Sequence, residues 1–201
     1  TTEIYTLSLH DALPIYLLKP EYKNKFRVAF PGSSGTGYNV LTTIIYLNKM
    51  DEEKAFAWLK KFADNCEKFE RSGPAPTNYV ATGEIPIAIG YAHDAVRAKA
   101  KGANIEINIP KEGVGFELAS MSLIKGGKQP VLAKKLYDWI LGPTGQQIIA
   151  DFYVVPVHKD TKANPLAIPL NKIKTVNQDS MWDAANKARL QDRFAKEIGN
   201  K

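Results

Sequence analysis

The chain has little of what defines several protein classes. It holds one cysteine, Cys66, in 201 residues, which excludes an internal disulfide framework and a metal site built from cysteines alone. Its three histidines, His10, His93 and His158, lack the spacing of metal ligands. No apolar run approaches the roughly 20 residues that a membrane-spanning helix needs. What remains is 44% hydrophobic and 24% charged, a composition typical of a globular protein with a hydrophobic core.

The positive charge is spread along the chain. A formal net charge of +6 arises from 27 basic and 21 acidic residues, and the lysines are dispersed rather than clustered. This pattern favours a solvated basic surface over a nucleic-acid interface. The chain begins at Thr1, and no basic segment followed by an apolar one indicates a targeting signal.

The first fifteen residues read TTEIYTLSLHDALPI, which is the translation of one reading frame of a common sequencing adapter. We interpret residues 1–15 as an assembly artefact fused in frame and exclude them from the fold; the alternative is a natural amphipathic segment. The excluded segment holds Glu3 and Asp11 and no Lys or Arg, so residues 16–201 carry 27 basic against 19 acidic residues, a net charge of +8. His10 then belongs to no site.

The hydrophobic pattern alternates between strand and helix after residue 25. Strands are predicted at residues 26–30, 85–91, 105–109 and 116–124. Helices are predicted at residues 38–48, 51–65, 77–82, 92–101, 131–141 and 144–152. A last helix has a packing stripe of Met181, Trp182, Ala185, Leu190 and Phe194. This order predicts an α/β architecture with a largely parallel sheet.

A glycine-rich loop joins the first strand to the first helix. Its candidate ligand-binding residues are Ser33, Ser34, Gly35, Thr36 and Gly37. Converging backbone N–H groups, hydroxyls and a helix N-terminus suit an oxyanion. The loop is neither a nucleotide P-loop, since no Gly-Lys-Ser/Thr follows, nor a dinucleotide fingerprint or a nucleophile elbow. Anion binding and a plain capped turn therefore both stay open.

Further candidates follow later strands and loops. Ser72 lies in a second small-residue loop, and Tyr91, His93 and Asp94 stand where a strand gives way to a helix, the usual ligand position in open α/β sheets. Alternatively, Asp94 is only the N-cap of that helix, beside an exposed His93. Glu117 lies in an apolar run, where carboxylates are normally paired or bound; it could also be a surface residue of an edge strand.

The order of these motifs resembles the extracytoplasmic solute-binding proteins of ABC importers, in the group that binds ferric iron, phosphonates and hexose phosphates. The likeness is carried by FPGSSGTGY (30–38), SGPAPTNYVATGE (72–84), IAIGYAHDAV (87–96), PKEGVGFEL (110–118) and QPVLAKKLYDWILGPTGQQI (129–148). It implies a type 2 periplasmic-binding fold whose two α/β lobes close on a solute. Residues 16–110 then form most of the second lobe, residues 111–160 the return segment of an incomplete first lobe, and residues 161–201 a tail on the second lobe.

The resemblance also implies a ligand. Residues 33–37 correspond to the part that receives phosphate, and His93, Asp94 and Glu117 to sugar-contacting positions. Ferric-iron binders typically use two adjacent tyrosines where this chain has only Tyr91, so a phosphorylated sugar or phosphonate is favoured over iron. The implied partner is an inner-membrane ABC permease, and the implied location is the periplasm or the outer surface of the cytoplasmic membrane. The implied protein is a monomer that binds no nucleic acid. It has no cofactor, no resident metal and no catalytic residue. The alternative is a ferric-iron binding protein of an iron(III) ABC importer. A phosphate-ester hydrolase and the effector domain of a transcription regulator are lesser alternatives.

Overall fold

The chain folds into two units. A computed structural model describes residues 15–199, of which residues 15–116 and 170–199 form the first unit and residues 117–169 the second. The interpretation of residues 1–15 as an artefact falls, apart from Ile15, outside the described residues. The assignment of residues 16–110, 111–160 and 161–201 to two lobes and a tail stays a prediction.

The first unit is built on a three-stranded parallel sheet. Its strands are β1 (Phe26–Ala29), β2 (Lys68–Glu70) and β3 (Ile87–Ile89), in the order β2-β1-β3. In register, Val28 of β1 lies opposite Phe69 of β2 and Ile89 of β3. The predicted α/β architecture with a parallel sheet is confirmed.

Seven α-helices are described. They are α1 (Gly35–Leu47), α2 (Glu52–Asn65), α3 (Ala75–Ala81), α4 (Ala92–Ala100), α5 (Pro130–Leu141), α6 (Pro143–Asp151) and α7 (Ser180–Glu197). The first six were predicted within three residues at each end, and α7 was predicted as a helix without bounds. Side-chain caps fix the start of three of them, because Ser34, Asp51 and Asp179 accept hydrogen bonds from N–H groups of the first turns of α1, α2 and α7.

The hydrophobic core lies on one face of the sheet. Phe26 and Val28 of β1 point into it. Helices α1, α2 and α7 close it, and the ring of Phe194 lies 5.5 Å from that of Phe69. The expected stripe on α7 is wrong at Ala185, which is exposed, and at Met181, which is 80% exposed. The inward side of that turn is taken by Trp182, whose ring lies 5.9 Å from that of Tyr46.

The opposite face of the sheet carries a buried arginine. Because side chains alternate along a strand, Arg27 points away from the core, and its guanidinium lies 4.5 Å from the ring centroid of Tyr79 on α3. It also donates hydrogen bonds to Glu67 and, over 2.7 Å, to Glu84. These bonds raise the pKa of Arg27 and lower that of Glu67. The cluster ties the segments preceding β2 and β3 to the central strand.

Two expected strands are absent from the structure, and one observed strand was not expected. Residues 105–109 and 116–124 form no strand, because an alternating pattern becomes a strand only beside a hydrogen-bonding partner. In the second segment Leu118 and Ile124 are exposed. Conversely, β2 was not predicted, since only Phe69 of its three residues is apolar. Outside the sheet, a single bridge pairs Val114 with Thr175 among the described residues.

The second unit consists of α5, α6 and the extended segments around them. A buried glutamine joins its parts: Gln146 donates to the carbonyl of Ile140 over 3.1 Å and accepts from the N–H of Val157 over 2.8 Å. In the described part of the chain, no helix combines the length and apolar character needed to cross a membrane.

Candidate functional site

All three strands of the first unit end at the same edge of the sheet. Since the strands are parallel, the connections that follow them, at residues 30–34, 71–74 and 90–91, lie side by side there. The loop after β1 is in the middle, because β1 is the central strand. Such an edge is where open α/β sheets bind ligands.

The loops after β1 and β2 are in direct contact. A Cβ atom on Gly73 would lie 2.2 Å from Oγ1 of Thr36 and 3.3 Å from Oγ of Ser34, so only glycine fits at this position. Next to it, the hydroxyl of Ser33 donates to the carbonyl of Arg71 over 3.1 Å.

The loop after β3 reaches the same place. A Cβ atom on Gly90 would lie 3.0 Å from Oγ1 of Thr77 and 4.0 Å from the carbonyl oxygen of Gly73. Gly73 is therefore close to both neighbouring loops. The structure thus brings together the predicted residues Ser33, Ser34, Gly35, Thr36, Ser72 and Tyr91 around one edge.

The first turn of α1 presents open donors to this edge. Ser34 caps the helix, its hydroxyl accepting from the N–H of Gly37 over 3.4 Å. Within residues 15–199, the N–H groups of Gly35 and Thr36 have no hydrogen-bond partner, as expected for the first positions of a helix. The two N–H groups, the helix dipole and the hydroxyl of Ser34 make a positive, donor-rich end.

Gly37 has a packing role. A Cβ atom there would lie 2.3 Å from the carbonyl oxygen of Ala29, so glycine is what allows α1 to approach β1 closely. Its N–H is already used by Ser34. Of the predicted loop residues, Gly37 therefore contributes to the shape of the site and not to its open donors.

The start of α4 contributes an aromatic pair and a buried carboxylate. The rings of Tyr91 and His93 stack with centroids 5.5 Å apart and planes 23° from parallel. Asp94 is 5% exposed, and its Oδ1 lies 2.6 Å from an Nη atom of Arg97 and 3.7 Å from Nε2 of His93. The interpretation of Asp94 as the N-cap is wrong, because Tyr91 is the N-cap residue and Asp94 lies within the first helical turn.

Sequence reasoning missed Arg97. Its spacing of three residues from Asp94 on a predicted helix is the signal that could have found it, since residues at i and i+3 face each other. Glu117 is the exposed first residue of the second unit, so the first unit alone does not place it at this edge. In the described part of the chain, no group of three or more histidine, cysteine or acidic side chains is arranged to hold a metal ion.

The fold and the sheet edge where the three loops meet define a class of protein. The model of the family described as bacterial extracellular solute-binding protein matches residues 16–183, and the chain belongs to this family. The periplasmic binding protein AfuA of Actinobacillus pleuropneumoniae, solved with exogenous fructose-6-phosphate bound, is 29% identical with a TM-score of 0.87 over 96% of this chain and 61% of that one. A Bordetella ferric binding protein, 16% identical with a TM-score of 0.69 over 98% of this chain and 66% of that one, shares the fold alone. The predicted periplasmic-binding fold is confirmed.

Two curated relatives extend the picture. An uncharacterized protein of Haemophilus influenzae is 32% identical over 187 residues, which is 90% of this chain and 54% of that protein. The spermidine/putrescine-binding periplasmic protein of Salmonella typhimurium is 28% identical over 142 residues, which is 67% of this chain and 39% of that protein. The chain thus spans about half or less of the length of these relatives.

Proposed function

We propose that the chain is the substrate-binding component of an ABC importer and captures a small anionic solute, a phosphorylated sugar or a phosphonate, in the periplasm. The observation that carries the proposal is the pair of open N–H groups, at Gly35 and Thr36, where the loops after all three strands meet. A phosphate or phosphonate oxygen is the acceptor that such a helix start takes. The fructose-6-phosphate bound to the Actinobacillus relative supports this ligand class.

The rest of the solute lies toward α4. The stacked rings of Tyr91 and His93 offer a flat surface for a sugar ring, and Asp94 and His93 offer acceptors for its hydroxyls. Glu117 stays a proposed sugar contact. The site then binds the anionic group of the ligand at the start of α1 and its hydroxyls at the start of α4.

Two other functions are less well supported. For iron capture, the start of α4 supplies one tyrosine, Tyr91, and no group of three or more histidine, cysteine or acidic side chains among the described residues is arranged to hold a metal ion. A phosphate-ester hydrolase using Asp94 and His93 as its base finds the Asp94 carboxylate already paired with Arg97. We therefore propose a binding protein without catalytic activity.

The proposed partner follows from the family. Solute-binding proteins of this family deliver their ligand to ABC permeases. We propose that this chain does so as a monomer, with no nucleic acid and no cofactor involved.

The proposal is tested by isothermal titration calorimetry on the chain. We expect binding of fructose 6-phosphate, weaker binding of inorganic phosphate and no binding of fructose. Asp94→Asn should weaken fructose 6-phosphate binding about tenfold or more, the usual cost of losing a hydrogen bond to a charged group, and leave phosphate binding unchanged. The matched control is Asp192→Asn, an exposed carboxylate on α7, which should change neither.

The contradicting results are specific. Binding of ferric citrate or spermidine in place of fructose 6-phosphate would replace the proposed ligand class. Failure of the chain to bind fructose 6-phosphate and phosphate alike would remove the anion site.

A further inference from the structure

We propose that Arg97 is the residue that sets the charge selectivity of this site: it neutralises Asp94 and holds it so that its second oxygen accepts from a ligand hydroxyl. The inference rests on the proposed function and deepens it by assigning a role to a side chain that touches Asp94 rather than the ligand. Arg97 is thus a positioning residue. Its effect is to make the α4 side of the site suit the neutral polyol part of an anionic solute.

The two oxygens of Asp94 are in different surroundings. Oδ1 takes both of these contacts, 2.6 Å from Nη of Arg97 and 3.7 Å from Nε2 of His93, and only Arg97 is permanently charged. Oδ2 has no hydrogen-bond partner among the described residues and keeps slight contact with solvent. The carboxylate is therefore anchored through one oxygen and open through the other.

Burial makes this charge consequential. The Asp94 side chain is 5% exposed, whereas those of Arg97 and His93 are 32% and 33% exposed. A buried carboxylate without a cationic partner is costly and attracts any cation that can reach it. Arg97 is such a partner, so the charge of Asp94 is balanced within the protein and needs no cation from the ligand.

Selectivity follows from this balance. Opposite charges at this distance cancel most of the field that a ligand group beyond Oδ2 experiences. A hydroxyl donor still finds a good acceptor, because a hydrogen bond needs only the local oxygen. A polyamine, such as the ligand named for the Salmonella relative, finds no uncompensated negative charge at this carboxylate.

The test compares three variants by calorimetry with fructose 6-phosphate, inorganic phosphate and spermidine. Arg97→Gln should lower the affinity for fructose 6-phosphate about tenfold or more, leave phosphate affinity unchanged and create measurable spermidine binding. Arg97→Lys keeps the positive charge and should stay within about threefold of the unsubstituted chain. Lys99→Gln removes an equal charge from an exposed position on the same helix and should have no effect.

Selectivity separates this role from a merely structural one. If Arg97→Gln weakens every ligand equally and gains no spermidine binding, or binds fructose 6-phosphate normally, the inference is wrong. If the unsubstituted chain binds neither fructose 6-phosphate nor phosphate, the proposed function fails. In that case, urea unfolding tests the Asp94–Arg97 pair without any ligand. Arg97→Gln should lower the free energy of unfolding more in the unsubstituted chain than in an Asp94→Asn background. Equal losses in both backgrounds would overturn the pairing.

Discussion

Gly73 allows the loop after β2 to contact the start of α1. Its missing side chain leaves the space that Thr36 Oγ1 occupies, 2.2 Å from where a Cβ atom would be. Thr36 is buried beneath it and sits in the first turn of α1. Any side chain at position 73 must therefore displace either the loop after β2 or the start of α1.

Substituting Gly73 tests this contact. We expect Gly73→Ala to lower the free energy of unfolding by about 1–3 kcal/mol, the usual cost of overpacking. Thr36→Ala removes the atom that collides, so the double variant should recover part of the loss. Urea unfolding of both single variants and the double variant checks this. Wild-type stability for Gly73→Ala would show that the loops can separate without cost.

For single residues, the sequence predicts only those roles that neighbouring residues along the chain determine. The Ser34 cap and the open donors behind it follow from the order of serine, glycine and helix. The contact of Gly73 with Thr36 does not, because it depends on two loops 37 residues apart in the chain meeting at one sheet edge. The same holds for Arg27, whose partners Glu67 and Glu84 precede other strands.

Among the helices, α2 and α7 are joined by ion pairs. Arg189 of α7 donates to both oxygens of Glu52 over 2.7 and 2.8 Å, and Arg193 pairs with Glu53 and Glu197. The hydrogen bonds from Arg189 hold the pKa of Glu52 below its ordinary value of 4.5. At pH values above its ordinary pKa, a carboxyl group whose pKa is lowered in the folded state stabilises the fold. This contribution disappears as the pH falls through the lowered pKa.

The pH dependence of this pairing is testable. Arg189→Gln should lower the stability at pH 7 by about 0.2–1 kcal/mol, as for other partly exposed pairs, and the difference from wild type should shrink as the pH falls below 4.5. Thermal unfolding at pH 7, 4 and 3 measures it. Lys61→Gln, an exposed lysine on α2, serves as the charge control. A gap of constant size across this range would contradict the assignment.

Elements were predictable where local signals agree. Helix α2 has an Asp51 cap, acidic residues in its first turn and one apolar face, and its predicted bounds match within a residue. The false strands at residues 105–109 and 116–124 had alternation alone. Strand β2, with three residues, is defined by pairing with β1, which sequence alone does not reveal.

At the scale of the whole molecule, the residues proposed to bind the ligand through the loops after β1, β2 and β3 lie in the first unit. The sheet, the donor-rich start of α1 and the Asp94–Arg97 pair all belong to it. The structural match to the Actinobacillus protein covers 96% of this chain.

The central claim is that the open N–H groups of α1 bind the anionic group of the solute. Gly35→Pro tests it most directly, because proline removes one of these donors yet fits the first helical position. Ser34 already has the extended backbone, with φ −135° and ψ 132°, that a following proline requires. Gly35→Ala keeps the N–H and is the matched control.

Calorimetry with inorganic phosphate and fructose 6-phosphate gives the answer, with circular dichroism to verify that both variants are folded. We expect Gly35→Pro to lose about tenfold or more in affinity for both ligands, while Gly35→Ala binds them like the unsubstituted chain. Equal affinities for Gly35→Pro and Gly35→Ala would contradict the account.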